Sequence, residues 1–142
     1  MLTNSEIIQS KTLEACHNFI HAVNGKNISQ IVLSLSEATV FSNSQGKEIK
    51  GRDNVLRAWM KYFELFPDYY IDAENLIEDE NTIVVLGYSG GSYKNMKKED
   101  CQWRLPSAWK VKLEDSQITC WQVYTDNMVP FEIIKRNFTN GH

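Results

Sequence analysis

The chain reads as an α+β fold: a strongly bent, mostly antiparallel sheet laid over three N-terminal helices, forming a cone around an apolar pocket. Three observations carry this reading. The first half of the chain repeats apolar residues at helical spacing in three stretches. After Pro67 the period changes to that of strands and stays so. The last strand, Ile118 to Asp126 (ITCWQVYTD), alternates Ile118, Cys120, Gln122 and Tyr124 with Thr119, Trp121, Val123 and Thr125. Both sets hold large apolar groups, so a central strand covered on both faces is expected.

The first helix is expected from about Ser5 to Asn24, with Ile8, Leu13, Cys16, Phe19 or Ile20, and Val23 on its apolar stripe. Asn4 or Ser5 can cap it, and Gly25 sits where a helix stops. A shorter helix follows, with Ile28, Ile31, Val32 and Leu35 facing inward. Thr39–Phe41 reads as a short strand, turning at Gln45-Gly46 and returning. Gly51-Arg52-Asp53 opens a third helix, where Asp53 favours the positive end of the helix dipole. Its stripe is Val55 or Leu56, Trp59, Tyr62 or Phe63, and Phe66, and Pro67 ends it.

Strands are then expected over Tyr69–Ile77, Thr82–Tyr93 and Cys101–Leu113, with turns at Asp79-Glu80-Asn81 and Glu114-Asp115-Ser116. Gly87, Gly90 and Gly91 point to a sharp bend or bulge, and Pro106 to a kink or bulge. Lys94 to Asp100 is charged and reads as a mobile turn.

Composition bounds the function. At 142 residues the chain has the size of one domain spanning 1–142, able to bury a core without staples. A net charge of −3 and the lack of a basic stripe argue against nucleic acid. Cys16, Cys101 and Cys120 are too few and scattered for disulfides or zinc, so reduced thiols in a cytoplasmic protein are expected. MLTNSEIIQSK lacks a basic segment followed by an apolar run, and no run of about 18 apolar residues occurs, so neither a signal peptide nor a membrane span is expected. His17 and His21 stand four apart on one helix, but no third ligand follows in a recognised pattern, so no metal is expected.

Trp59, Trp103, Trp109 and Trp121, joined by Phe19, Tyr62 and Tyr88, form a set of rings suited to line a cavity for a flat, apolar or aromatic molecule. Trp59 and Trp121 lead it. Asp126 ends the last strand and is the candidate acid–base group: apolar walls would raise its pKa. On a regular strand it shares the face of Gln122 and Tyr124, and a bulge is needed to turn it inward.

Several segments in sequence, IKGRDNVLRAW (Ile49–Trp59), FPD (Phe66–Asp68), the glycine-containing strand, and SAWKVKLEDSQITCWQVYTDN (Ser107–Asn127), resemble the SnoaL-like branch of the nuclear transport factor 2-like superfamily. The resemblance spans nearly the whole chain. It implies a curved sheet on three helices with a deep apolar pocket walled by Phe19, Trp59, Tyr62, Phe63, Tyr88, Trp103, Trp121, Val123 and Thr125. It further implies no cofactor, and a homodimer through the outer sheet face, where Ile118, Cys120 and Tyr124 are expected with no fourth helix to cover them. The ketosteroid isomerase groups are missing: its donor tyrosine falls on Phe19, its basic aspartate on or beside Ser42, and its protonated aspartate near Trp109. The aspartate of limonene epoxide hydrolase falls on Val123. That of the SnoaL-like polyketide cyclases falls on Asp126 or, one residue earlier, on Thr125. The function this implies is binding of a small hydrophobic molecule, with cofactor-independent isomerisation or cyclisation through Asp126 as one form, and a non-catalytic binding or dimerisation module as the other.

Overall fold

The computed structural model describes residues 4–139, and side chains for residues 11–138. Elements follow in the order α1 (Asn4–Asn24), α2 (Ile28–Ser34), β1 (Leu35–Ser42), β2 (Glu48–Lys50), α3 (Arg52–Leu65), β3 (Tyr70–Asp79), β4 (Thr82–Ser92), β5 (Gln102–Glu114), β6 (Gln117–Tyr124) and α4 (Met128–Thr139). Two short 3-10 turns, Tyr93–Asn95 and Glu99–Cys101, occupy the charged segment before β5. The expected cap at Asn4 or Ser5 and the side chain of Ile8 lie outside the described side chains.

The six strands form one mixed sheet in the order β2-β1-β6-β5-β4-β3. All pairings are antiparallel except β1 with β6, which run parallel. The core fills the face that α1, α2 and α3 cover, with Phe19, Val23, Ile31, Val55, Trp59, Ile83, Val85, Trp109, Val111 and Trp121 all buried. α1 stops at Asn24 because the chain turns left-handed at Lys26, while the Gly25 N–H still reaches His21 O at 2.9 Å. Asn24 then acts as a strand substitute. Its amide donates to Ile71 O at 2.9 Å and accepts from Ile71 N at 2.7 Å, satisfying part of the edge strand β3.

Four expectations are corrected here. First, a fourth helix exists. The Asp126 carboxylate accepts from Met128 N at its start, and Pro130 stands in its first turn, where a missing N–H is harmless. Second, Leu35 belongs to β1 and not to α2: its backbone is extended, and it pairs with Ile118 across the parallel ladder. Third, β6 is not regular. Lys112 pairs with Cys120 but Leu113 pairs with Ile118, so Thr119 is an extra residue that forms a bulge. The bulge turns Ile118 to the buried face with Trp121, leaving Cys120, Gln122 and Tyr124 on the other. β6 is central, yet its outer face is open: Tyr124 is 47% exposed. Fourth, Pro106 does not break β5. The β4–β5 register runs without a shift from Thr82↔Lys112 to Ser92↔Gln102. Pro106 O accepts from Thr125 Oγ1 at 3.3 Å, so its peptide edge faces the side where β6 has already ended. No ladder bond needs its missing N–H.

The bend expected near the β4 glycines lies opposite Gly87. There β3 carries the irregularity, its register shifting between Ala73 and Asn75. A Cβ on Gly87 would stand 1.9 Å from Asp72 O, so only glycine allows the two strands to close at this point.

Candidate functional site

A cavity of about 230 Å³ lies between the inner sheet face, α3 and α4. α3 contributes Ala58, Trp59 and Tyr62, whose spacing places them on one helical face. Alternation along β5 sends Trp103 and Trp109 inward, and the end of β6 adds Trp121 and Val123. Phe41, Asn43, Ile49, Tyr69, Ser89, Thr125 and Asn127 complete the inner wall. α4 supplies the outer wall with Pro130, Phe131 and Ile134. Phe131 is 49% exposed, so this helix separates the cavity from solvent by a single layer of side chains. Buried Ile133 and Asn137 hold the helix down. Asn137 Nδ2 bonds Ile133 O at 2.8 Å and contacts Cys101 Sγ at 3.7 Å.

Seven of the residues expected to line a cavity meet here: Trp59, Tyr62, Trp103, Trp109, Trp121, Val123 and Thr125. Phe19 does not reach the cavity. It lies a layer deeper, edge-on to Trp121 at 4.9 Å and to Trp59 at 6.0 Å between ring centroids. Phe63 is likewise behind Trp59, at 5.6 Å, with Lys26 Nζ over its ring at 5.3 Å. Tyr88 is on the opposite side of the sheet. β4 sends Val85, Gly87 and Ser89 inward, so Tyr88 must face out, where the Arg104 guanidinium covers its ring at 4.4 Å. Arg104 is held in turn by Asp72 at 2.8 Å.

Asp126 is also outside the cavity. β6 ends at Tyr124, and Asp126 has joined the turn into α4: it is exposed, and its Oδ1 accepts from Met128 N at 3.1 Å. The bulge that would have turned it inward exists, but at Thr119, too early in the strand to change its position relative to Trp121 and Val123. Its neighbours Thr125 and Asn127 take the wall positions instead.

Most of the wall residues missed from sequence fall into two groups. Phe41, Ile49, Tyr69 and Ser89 come from elements whose pairing brings them in, and no local pattern marks them. Pro130, Phe131 and Ile134 had a signal, an Asp-Asn cap followed by a first-turn proline and an apolar stripe.

The polar content of the wall is limited and specific. Among the described residues it holds no carboxylate, imidazole, amine or thiol, and its ionisable groups are Tyr62 and Tyr69. Burial pushes both phenols well above their ordinary range, the neighbouring Tyr69 adding to the effect on Tyr62 and the Ser89 hydroxyl offsetting part of that on Tyr69. Neither is a base near neutral pH. From Ser89 a run of hydroxyls crosses the sheet: Ser89 Oγ to Ser107 Oγ at 2.7 Å, and Ser107 Oγ to Thr125 Oγ1 at 3.0 Å. The indole N–H groups of Trp59, Trp103 and Trp109 are shielded from solvent and meet no acceptor in the protein.

Other candidate chemistry is absent from the site. His17 and His21 are both exposed on α1, and no group of three or more His, Cys, Asp or Glu among the described residues is placed to hold a metal ion. Burial pushes the Cys16 thiol up to about 12, which removes it as a nucleophile. No helix among the described residues is long and apolar enough to cross a membrane.

Comparison with known proteins identifies the fold. A Jannaschia protein provisionally named a SnoaL-like polyketide cyclase superposes with a TM-score of 0.78 at 14% identity, over 94% of this chain and 97% of its own. A Mycobacterium tuberculosis epoxide hydrolase, like limonene epoxide hydrolase, gives 0.75 at 13% identity, over 92% and 94%. A Catenulispora acidiphila protein of ketosteroid isomerase-like fold, in complex with trimethylamine, gives 0.69 at 14%, over 78% and 84%. No match is found among curated proteins. The model of the SnoaL-like domain matches residues 16–121, most of the chain, from the second half of α1 to the centre of β6. The chain belongs to the SnoaL-like domain family.

Proposed function

We propose that this protein binds a small, flat, apolar or aromatic molecule in the cavity between helices and sheet. The observation that carries the reading is the wall itself: four indoles and two phenols, with no group charged at neutral pH among the described residues. An apolar cavity of about 150 Å³ takes up benzene; at about 230 Å³ this one suits two fused rings. The trimethylamine complex of the Catenulispora relative supports small-molecule binding in this fold. The names of other relatives, polyketide cyclase and epoxide hydrolase, support chemistry in the family. Here, proton transfer by Asp126 would first require its bond to the α4 N-terminus to open, so binding is the reading we favour. In this reading the chain acts as one cytoplasmic domain, without nucleic acid, membrane, metal or cofactor.

Naphthalene is the test ligand. Titration should change tryptophan emission saturably, because four indoles meet the ligand, and should release heat at one site per chain. No spectral or calorimetric change up to its solubility limit would sink the reading.

We also propose a homodimer through the outer sheet face. Leu86, Tyr88, Pro106, Ala108 and Tyr124 line a groove there, and the loss of Ile118 to the core leaves enough apolar surface to support pairing. α4 lies on the cavity side and does not cover this face. Light scattering at micromolar concentration should give twice the chain mass; a monomeric mass would refute it.

A further inference from the structure

A ligand in the cavity meets few wall groups whose hydrogen-bonding sense is fixed. Hydroxyls such as those of Tyr62, Ser89 and Thr125 can turn to donate or to accept. Asn43 is different. It lines the cavity, half-buried, where β1 has ended and the turn to β2 begins. Its side-chain oxygen accepts from Gln45 N at 2.9 Å and from Lys47 N at 3.0 Å. Both partners are N–H donors, so only the oxygen can occupy that position and the amide cannot be flipped. The Asn43 NH2 group is therefore directed away from the turn, and it meets no acceptor among the described residues.

The donor is also held in place. Asn43 N donates to Lys47 O at 3.0 Å and Asn43 O accepts from Gly46 N at 2.9 Å, while Gly46 takes the φ of 80° that closes the turn. Thr125 N donates to Ser44 Oγ at 3.0 Å, which ties the turn to the end of β6 beside the cavity. A group fixed in this way has little freedom left to lose when a ligand arrives. Asn127, the other amide on the wall, has no side-chain bonds of this kind and can present either end. The indoles of the wall only donate. Fixed donors therefore face the cavity side without fixed acceptors to match, and the complement is an acceptor.

We infer that the natural ligand carries a neutral carbonyl oxygen at the edge of its ring system, which accepts from Asn43 Nδ2 while the rings fill the aromatic part of the cavity. A carboxylate fits less well, because the wall holds no cation among the described residues to pair with it. The inference rests on the binding reading above. It assigns Asn43 as the specificity-determining contact, positioned by the backbone N–H groups of Gln45 and Lys47.

Chromone, indole and naphthalene test it, measured by calorimetry on the wild-type protein and on Asn43→Ser and Asn43→Asp. All three are flat and two-ringed; chromone brings a ring carbonyl, indole only a donor, and naphthalene neither. Asn43→Ser keeps a side-chain oxygen for the turn but loses the NH2 group. One net hydrogen bond corresponds to roughly two- to tenfold in affinity, so chromone should weaken by about that factor while naphthalene binds as before. Asn43→Asp is the sharper probe, and it also serves if the first variant does not fold. It keeps the shape and the oxygen that Gln45 and Lys47 hold, and puts an acceptor where the donor stood. Chromone should lose about tenfold there, and indole should gain by roughly two- to tenfold. A merely structural role would weaken all three ligands together, and that result would overturn the assignment. Chromone affinity unchanged relative to naphthalene in both variants would overturn it too and leave the binding reading intact. Failure of all three ligands to bind the wild-type protein would overturn the binding reading and this inference with it.

Discussion

Trp121→Ala is expected to lower stability by about 3–5 kcal/mol, with a fall in Tm on the order of 10 °C, and to abolish naphthalene binding. Trp121 sits at the middle of the central strand β6, paired with Val111 on one side and Phe41 on the other. Its indole is buried and touches three rings from three elements: Phe19 of α1 at 4.9 Å, Trp59 of α3 at 6.3 Å and Trp109 of β5 at 6.2 Å. Truncation removes a group that joins the helical layer to the sheet at the cavity floor. The existing cavity makes relaxation harder, because the neighbouring rings already face open space on one side and gain little by moving. Urea unfolding should show a lower midpoint at an unchanged slope. A loss below about 1 kcal/mol would mean that the surrounding rings collapse onto the vacated volume, and that Trp121 serves as wall rather than as keystone of the core.

The second large effect is expected at Gly87. Gly87→Ala places a methyl group 1.9 Å from Asp72 O and 3.1 Å from Glu74 N, both backbone atoms of the paired strand β3. Backbone cannot swing aside as a side chain can, so β3 must separate from β4 at the point where its register already shifts. The cost should reach or exceed the upper end of the roughly 1–3 kcal/mol seen for overpacked sites. Gly91→Ala is the matched control. It lies on the same strand and is buried, but its added Cβ would meet Phe66, Asp68 and Tyr69 atoms at 3.4 Å, close to ordinary contact. That variant should stay within about 1 kcal/mol of the wild type. Equal urea midpoints for the two variants would refute the claim that the close approach at Gly87 shapes the sheet.

The two layers of the fold were legible because each rests on local periodicity. The helical stripe ending at Val23, the stripe of Val55 and Trp59, and the change of period after Pro67 all report which face of an isolated element is apolar. Such patterns survive folding because burial selects them residue by residue. The same logic found four indoles and Tyr62 for the cavity, since large rings at inward positions have few other places to go. It failed where position depends on a partner strand. One extra residue at Thr119, visible only against the β5 ladder, moves Ile118 from the outer face to the core. Tyr88 carries the right chemistry on the wrong face, because a side-chain period of two makes Ser89 the inward residue.

Asp126 shows the same limit in function. By itself the sequence determined that an acid follows a buried strand near an aromatic pocket. Only the tertiary structure decided that the strand ends two residues earlier, that α4 begins there, and that the helix N–H of Met128 takes the carboxylate. The site's own polar groups, Tyr69, Ser89 and Thr125, come from separate parts of the chain and meet across three strands. No spacing rule links them, because their proximity is set by long-range pairing and by the bend at Gly87, which are properties of the assembled sheet and not of any segment within it.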